Sequence, residues 1–161
     1  MTDNHSDQIV RNQLISFLRE RNAHVNLEDV LLNFPEEHIN SKIKSIEYSP
    51  WQLQEHMRLT QRDIIDFIED KNYQTPDWPA GYWPEKQHSN LDLWNTSVQQ
   101  FFEDLTHLES IVKNPNIDLY QSMPAGDKYS VFREILIVID HNAHHLGQLI
   151  LFRKHFDAWE K

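Results

Sequence analysis

The sequence predicts an all-α fold, a bundle of four helices, on three observations. Glycine is scarce, 3 in 161 residues, which suits a chain with few tight turns. The seven prolines stand at 35, 50, 76, 79, 84, 115 and 124. They leave long proline-free windows over 1–34, 51–75, 85–114 and 125–161, and proline breaks helix interiors while tolerating first turns and loops. Each window carries apolar residues at helical spacing.

The first helix is expected from about Ser6 to Arg21, with Val10, Leu14, Phe17 and Leu18 on its inner side. A break near 22–26 leads into a short helix over Leu27-Glu28-Asp29-Val30-Leu31-Leu32, with Asn26 as its N-cap. Residues 35–49 read as an irregular crossover. The second helix opens at Ser49-Pro50-Trp51, serine as N-cap and proline in the first helical position. Its stripe is Leu53, Met57, Ile64, Phe67 and Ile68, and it ends near Asp70. Residues 71–88 form a long aromatic loop between the second and third helices, with Tyr73, Trp78, Tyr82 and Trp83 among four prolines and glycines. Such a loop is either a flap packed by its own rings or a lid over a pocket.

The third helix is expected from Ser89 or Asn90 to Lys113, burying Leu91, Trp94, Val98, Phe101, Phe102, Leu105, Leu108 and Val112. Asn114-Pro115 stops it. A connector follows, with Gly126-Asp127 as its turn signal. The fourth helix covers about Tyr129 to Phe156, with Phe132, Ile135, Ile139, Ala143, Leu146 and Ile150 as its stripe. No internal repeat interrupts the pattern, and 1–161 reads as a single domain.

Composition narrows function. Lys plus Arg is 15 against 25 Asp plus Glu, a formal net charge of -10. That opposes nucleic acid and anionic membrane surfaces as partners. There is no cysteine, so disulfides, thiolate zinc sites and cysteine nucleophiles are excluded. No apolar run approaches the roughly 20 residues of a membrane span. The polar start, Met1-Thr2-Asp3-Asn4-His5, lacks the order of a signal peptide, so the expected location is cytoplasmic.

Ten histidines stand out, more than one metal site uses. The informative segment is Asp140-His141-Asn142-Ala143-His144-His145-Leu146-Gly147-Gln148. His141 and His145 are i, i+4 and project from one helical face, a spacing that lets two imidazoles reach one ion. Asn142 holds the place of the glutamate in H-E-x-x-H, which disfavours a zincin protease. His56, at the edge of the second helix's stripe, is the best candidate for a third ligand; the alternative is a core histidine bonded to local acceptors. The pair points almost opposite to Ile139, Ala143, Leu146 and Ile150, and so faces water unless Val138 and Phe152 bury its side as well. Glu134 and Gln148 share the histidine face and read as partners of the ligands, substrate contacts or solvated residues. His144 projects about 100° from His145 and does not replace it. His5, His24, His38, His88, His107 and His155 read as solvated. Gly147 signals either a close approach by another helix or ligand, or tolerance.

Three segments together resemble the DinB superfamily over nearly the whole chain. They are Ser49-Pro50-Trp51-Gln52-Leu53-Gln54-Glu55-His56-Met57-Arg58, Pro76-Asp77-Trp78-Pro79 with Gly81-Tyr82-Trp83-Pro84, and Asp140 to Leu149. The last is the most specific: a histidine, three residues, a histidine, then a small-Gln-apolar run. The resemblance implies an up-down-down-up four-helix bundle, often a homodimer. It implies a divalent metal, nickel or zinc, held by His56, His141 and His145. His144 stands where relatives often have tyrosine.

These readings lead to a metal-dependent transferase or hydrolase acting on a small molecule, with a low-molecular-weight thiol among the candidate substrates. The chain has no cysteine, so a thiol must arrive with the substrate. The rivals are a non-catalytic metal- or ligand-binding module and a stress-response protein whose histidines cap a polar core.

Overall fold

The computed structural model describes residues 4–123 and 126–159, and among them the chain is mostly helical. The helices are α1 (Asn4–Arg19), α2 (Leu27–Leu31), α3 (Pro50–Glu69), α4 (Leu91–Lys113) and α5 (Val131–His155). Short 3-10 turns lie at Glu36–His38 and Ala80–Tyr82. No helix among the described residues is long and apolar enough to cross a membrane.

Polar residues set the helix starts, Asn26 and Ser49 as the sequence suggests and Asn90 and Ser130 as caps it does not single out, so that Tyr129, the expected start of the last helix, lies in a strand before it. Asn26 accepts from Asp29 N–H at 2.9 Å. Ser49 and Gln52 form a reciprocal capping box, with Pro50 in the first position. Asn90 accepts from Leu93 N–H and Ser130 from Arg133 N–H. The connector before α5 differs from expectation. It holds an antiparallel pair, β1 (Ser122–Met123) and β2 (Gly126–Ser130). Gly126 pairs with Met123 and opens a strand instead of forming the turn, and the two residues between the strands lie outside the described ones. Strands this short carry no readable period.

Side-chain bonds fix the helix directions. Between α3 and α4, Glu55 meets Ser97, Gln61 meets the Phe101 carbonyl, Arg62 meets Asp104 and Glu69 meets His107. Both numbers rise together, so these helices run parallel. Between α3 and α5, His56 meets His145 and Gln61 meets Asn142, so they run antiparallel. Between α1 and α4, Arg11 meets the Val112 carbonyl while Arg19 meets Glu109 and Thr106, again antiparallel. Parallel α3 and α4 require the chain to return the length of α3. The aromatic loop does this: Tyr73 and Tyr82 bond to Asp63, Trp51 donates to the Lys86 carbonyl, and Gln52 donates to Gln87. It lies along α3, with Trp78 the ring left most exposed.

All four stripes are corrected in part: on α3 Phe67, and on α4 Leu91 and Phe102, are only half-buried. On α1, Leu14 and Leu18 are buried but Phe17 is 59% exposed, and Arg11 is buried instead. The Arg11 guanidinium donates to the carbonyls of Val112, Asn114 and Ile117 and pairs with Asp7, capping the end of α4. Arg153 does the same for α2, donating to the Val30 and Leu32 carbonyls over the Phe34 ring. On α5 the buried residues are Val131, Glu134, Ile135, Val138, Asn142, Leu146, Leu149, Phe152 and Arg153. The expected residues Phe132, Ile139, Ala143 and Ile150 are half-exposed. The core thus lies on the side of the helix nearer the histidines than the apolar periodicity indicates.

Candidate metal centre

Residues far apart in sequence meet where α3 crosses α5. α3 supplies His56, buried, and α5 supplies His141 and His145, both half-buried. The Nε2 atom of His56 lies 3.1 Å from Nε2 of His141 and 3.2 Å from Nε2 of His145. One ring nitrogen from each of the three lies within 4.8 Å of the others, so the group could hold a metal ion. Ligands at about 2.0–2.1 Å from one ion stand about 2.9 Å apart at right angles and about 3.4 Å apart in a tetrahedron. The two short separations fall between those values.

The outer nitrogens decide the tautomers. His56 Nδ1 is 2.7 Å from the Tyr82 carbonyl, and a carbonyl only accepts, so this nitrogen carries the proton. His145 Nδ1 is 2.6 Å from the amide oxygen of Gln148 and carries its proton for the same reason. Both rings therefore aim bare Nε2 lone pairs at each other across 3.2 Å. No hydrogen bond joins two acceptors. A proton on His141 Nε2 can satisfy its contact with His56, but nothing within the cluster satisfies the contact between His56 and His145. A single cation among the three nitrogens satisfies every one, and this is the sense in which the donor set fits a divalent metal.

The protonation states agree. Burial pushes His56 below its ordinary range, partly opposed by the Tyr82 carbonyl. Burial, with repulsion from His145 and His56, takes His141 down to about 3. Burial takes His145 down to about 4, with Gln148 opposing. All three are neutral at pH 7, the form that coordinates metal.

The surroundings hold the rings in place. Trp83 stacks on His56, with centroids 4.3 Å apart and planes 9° from parallel. Gln148 bridges two histidines, accepting from His145 and donating to His144 Nε2 at 3.2 Å. His144 is exposed beside His145 and outside the cluster, as its helical angle requires. Glu134 shares the face but not the site. It is buried, and among the described residues its carboxylate bonds to Arg133 at 2.6 Å. A Cβ at Gly147 would meet nothing within 4 Å, so no close approach within the chain explains that glycine.

The remaining histidines stay apart from the site. His5, His24, His88 and His155 are exposed. His38 and His107 depart from the solvated expectation, one stacked on Phe156 and the other bonded to Glu69. Sequence reasoning missed Tyr82 and Trp83 as partners of His56. The aromatic loop was a signal of something, but a backbone carbonyl carries no residue signature.

The chain matches no family model, no curated protein and no solved structure.

Proposed function

We propose that the chain is a divalent-metal-dependent enzyme of the DinB type, a transferase or hydrolase acting on a small molecule, with His56, His141 and His145 as ligands. The observation that carries this reading is the pair of bare Nε2 atoms held 3.2 Å apart by acceptors behind each ring. A core histidine satisfied locally, the rival reading, has no need to face another acceptor. The family assignment rests on the sequence motifs and on the helix directions, which support an up-down-down-up four-helix bundle. A homodimer in the cytoplasm is part of the same proposal.

A nickel or zinc ion bound there supplies a Lewis acid whose charge is undiminished by its three neutral ligands, able to acidify a water or a substrate thiol. The chain's own residues prepare that site. The Tyr82 carbonyl and Gln148 hold the protons of His56 and His145 on the outer nitrogens. Trp83 covers one face of His56 and keeps water from it. His144 presents an exposed imidazole beside His145, bonded to Gln148.

Elemental analysis of untreated purified protein tests the reading. About one nickel or zinc per chain is expected. A ratio near zero after expression in metal-replete medium refutes it. Bound metal together with inertness toward thiols, electrophiles and esters would leave the ion and remove the catalysis.

A further inference from the structure

We propose that Asp63 is a positioning residue for the metal centre, acting through Tyr82 to hold His56 with its proton on Nδ1. The inference rests on the metal-site reading for its consequence but not for its geometry.

His56 and Asp63 are seven residues apart on α3, about two turns, and so share one face. The two carboxylate oxygens of Asp63 accept from two phenols of the returning loop. Tyr73 donates to Oδ1 at 2.6 Å and Tyr82 to Oδ2 at 3.1 Å. An ionised carboxylate is the side chain that offers two acceptors in this arrangement; an amide offers one acceptor and one donor pair. Burial and the Asp63 charge both raise the two phenols above their ordinary range, which keeps them protonated donors.

Tyr82 therefore links α3 to α3. Its hydroxyl is fixed by Asp63, and its carbonyl takes the Nδ1 proton of His56 at 2.7 Å. The next residue, Trp83, lies flat on the same imidazole. One dipeptide thus sets both the edge and the face of His56. The turn that carries it is largely exposed at Trp78, Pro79, Ala80 and Gly81. The next hydrogen bond from the loop to α3 is from Trp51 to the Lys86 carbonyl, four residues on. Gly81 lets the turn fold this tightly, since a Cβ there would stand 2.7 Å from the Pro76 Cβ. Removing the carboxylate frees the ring end of Tyr82, and its carbonyl then loses its fixed place behind His56. The imidazole can then move its proton to Nε2, the atom that must be bare to bind metal.

The test uses metal-free, 15N-labelled protein and reads each imidazole tautomer by long-range 15N–1H correlation NMR. Zinc affinity is measured in parallel by chelator competition. The wild type is expected to show His56 and His145 both protonated at Nδ1. Asp63→Ala and Tyr82→Phe are expected to give a mixture of tautomers at His56 alone, with His145 unchanged behind Gln148. Their zinc affinity is expected to fall about 10–100-fold. Tyr82→Phe removes one hydroxyl and keeps the test decisive should Asp63→Ala fail to fold. An unchanged His56 tautomer in Tyr82→Phe overturns the proposal, and so does a lower Tm with both tautomers intact. Failure of the wild type to take up zinc would refute the metal reading instead, and the tautomer measurement would still decide the role of Asp63.

Discussion

Zinc should stabilise the protein by an amount that His141→Ala removes. An ion that binds only the folded chain stabilises it by RT ln(1 + [L]/Kd), about 2.7 kcal/mol at free zinc 100-fold above Kd. For a chain of 161 residues, each kcal/mol moves Tm by about 2–4 °C, so a rise of about 5–11 °C is expected. Truncating His141 removes one of the three convergent nitrogens. Zinc sites are worth about 10–16 kcal/mol over four ligands, or about 3 kcal/mol for each, so Kd weakens about 100-fold. At the same free zinc the stabilisation drops to about 0.4 kcal/mol, a shift of about 1–2 °C. The ring is half-buried, so the metal-free variant should lie about 1 kcal/mol below the metal-free wild type. The comparison is therefore made within each protein, by scanning calorimetry with zinc and with excess chelator. An equal zinc shift in both proteins refutes His141 as a ligand, and no shift in the wild type refutes the site.

Three further outcomes follow from the same geometry. Gln148→Leu removes the acceptor behind His145 and should weaken zinc binding about 10–100-fold in chelator competition while helical circular dichroism stays unchanged; an unchanged Kd would show that Gln148 does not orient the ligand. The metal-free protein should lose stability in acid. His141 and His145 titrate at about 3 and about 4 when folded, below the 6.5 of a free histidine. The unfolded chain therefore binds more protons in that interval, so their contribution is complete above pH 6.5 and is lost as pH falls through 4 and 3. Urea midpoints across that range should flatten in the double variant His141→Ala with His145→Ala, and equal slopes would contradict the assignment. Arg11→Leu leaves the Val112 and Asn114 carbonyls at the end of α4 and the Ile117 carbonyl beyond it without their donor and should cost about 3 kcal/mol in urea unfolding; a cost below about 0.5 kcal/mol would mean water replaces the guanidinium.

The two arginines also show why the stripes were partly misread. Period analysis counts apolar residues, and the buried faces here include polar ones. On α1 the place next to Leu14 and Leu18 is taken by Arg11, a residue that apolar spacing does not count, while Phe17 turns outward. On α5 the buried line contains Glu134, Asn142 and Arg153, so the apolar spacing selects Ile139, Ala143 and Ile150 one step around the helix. Two helix starts were legible because a cap is a local event: Asn26, and Ser49 with Pro50, act within three residues, whereas Ser130 went unread and the last helix was expected from Tyr129. The i, i+4 histidines were legible for the same reason. What closes the site was not, because the Tyr82 carbonyl reaches His56 over 26 residues and its placement depends on how the loop returns.

Asn142 gains a meaning that its sequence position conceals. Read as the residue in place of a catalytic glutamate, it only disfavours a protease class. In the structure it points away from that role, buried between α5 and α3, and donates to Gln61 at 3.0 Å. Gln61 in turn donates to the Phe101 carbonyl of α4 at 2.8 Å. This polar link joins three helices in the core, at a cost in desolvation: Asn142 Oδ1 has no partner among the described residues, nor has either amide atom of Gln54. A hydrophobic pair there would pack at least as stably but would tolerate sliding, whereas a buried amide pair fixes one register. The three histidines that could hold a metal ion depend on that register. His141 is the neighbour of Asn142, and His56 lies five residues before Gln61 on the antiparallel helix. A slip of one residue moves α5 along α3 by about 1.5 Å, enough to part nitrogens that would each have to lie about 2 Å from a shared ion. The buried amides between α3 and α5 are thus explained by the precision of the site they adjoin more readily than by stability.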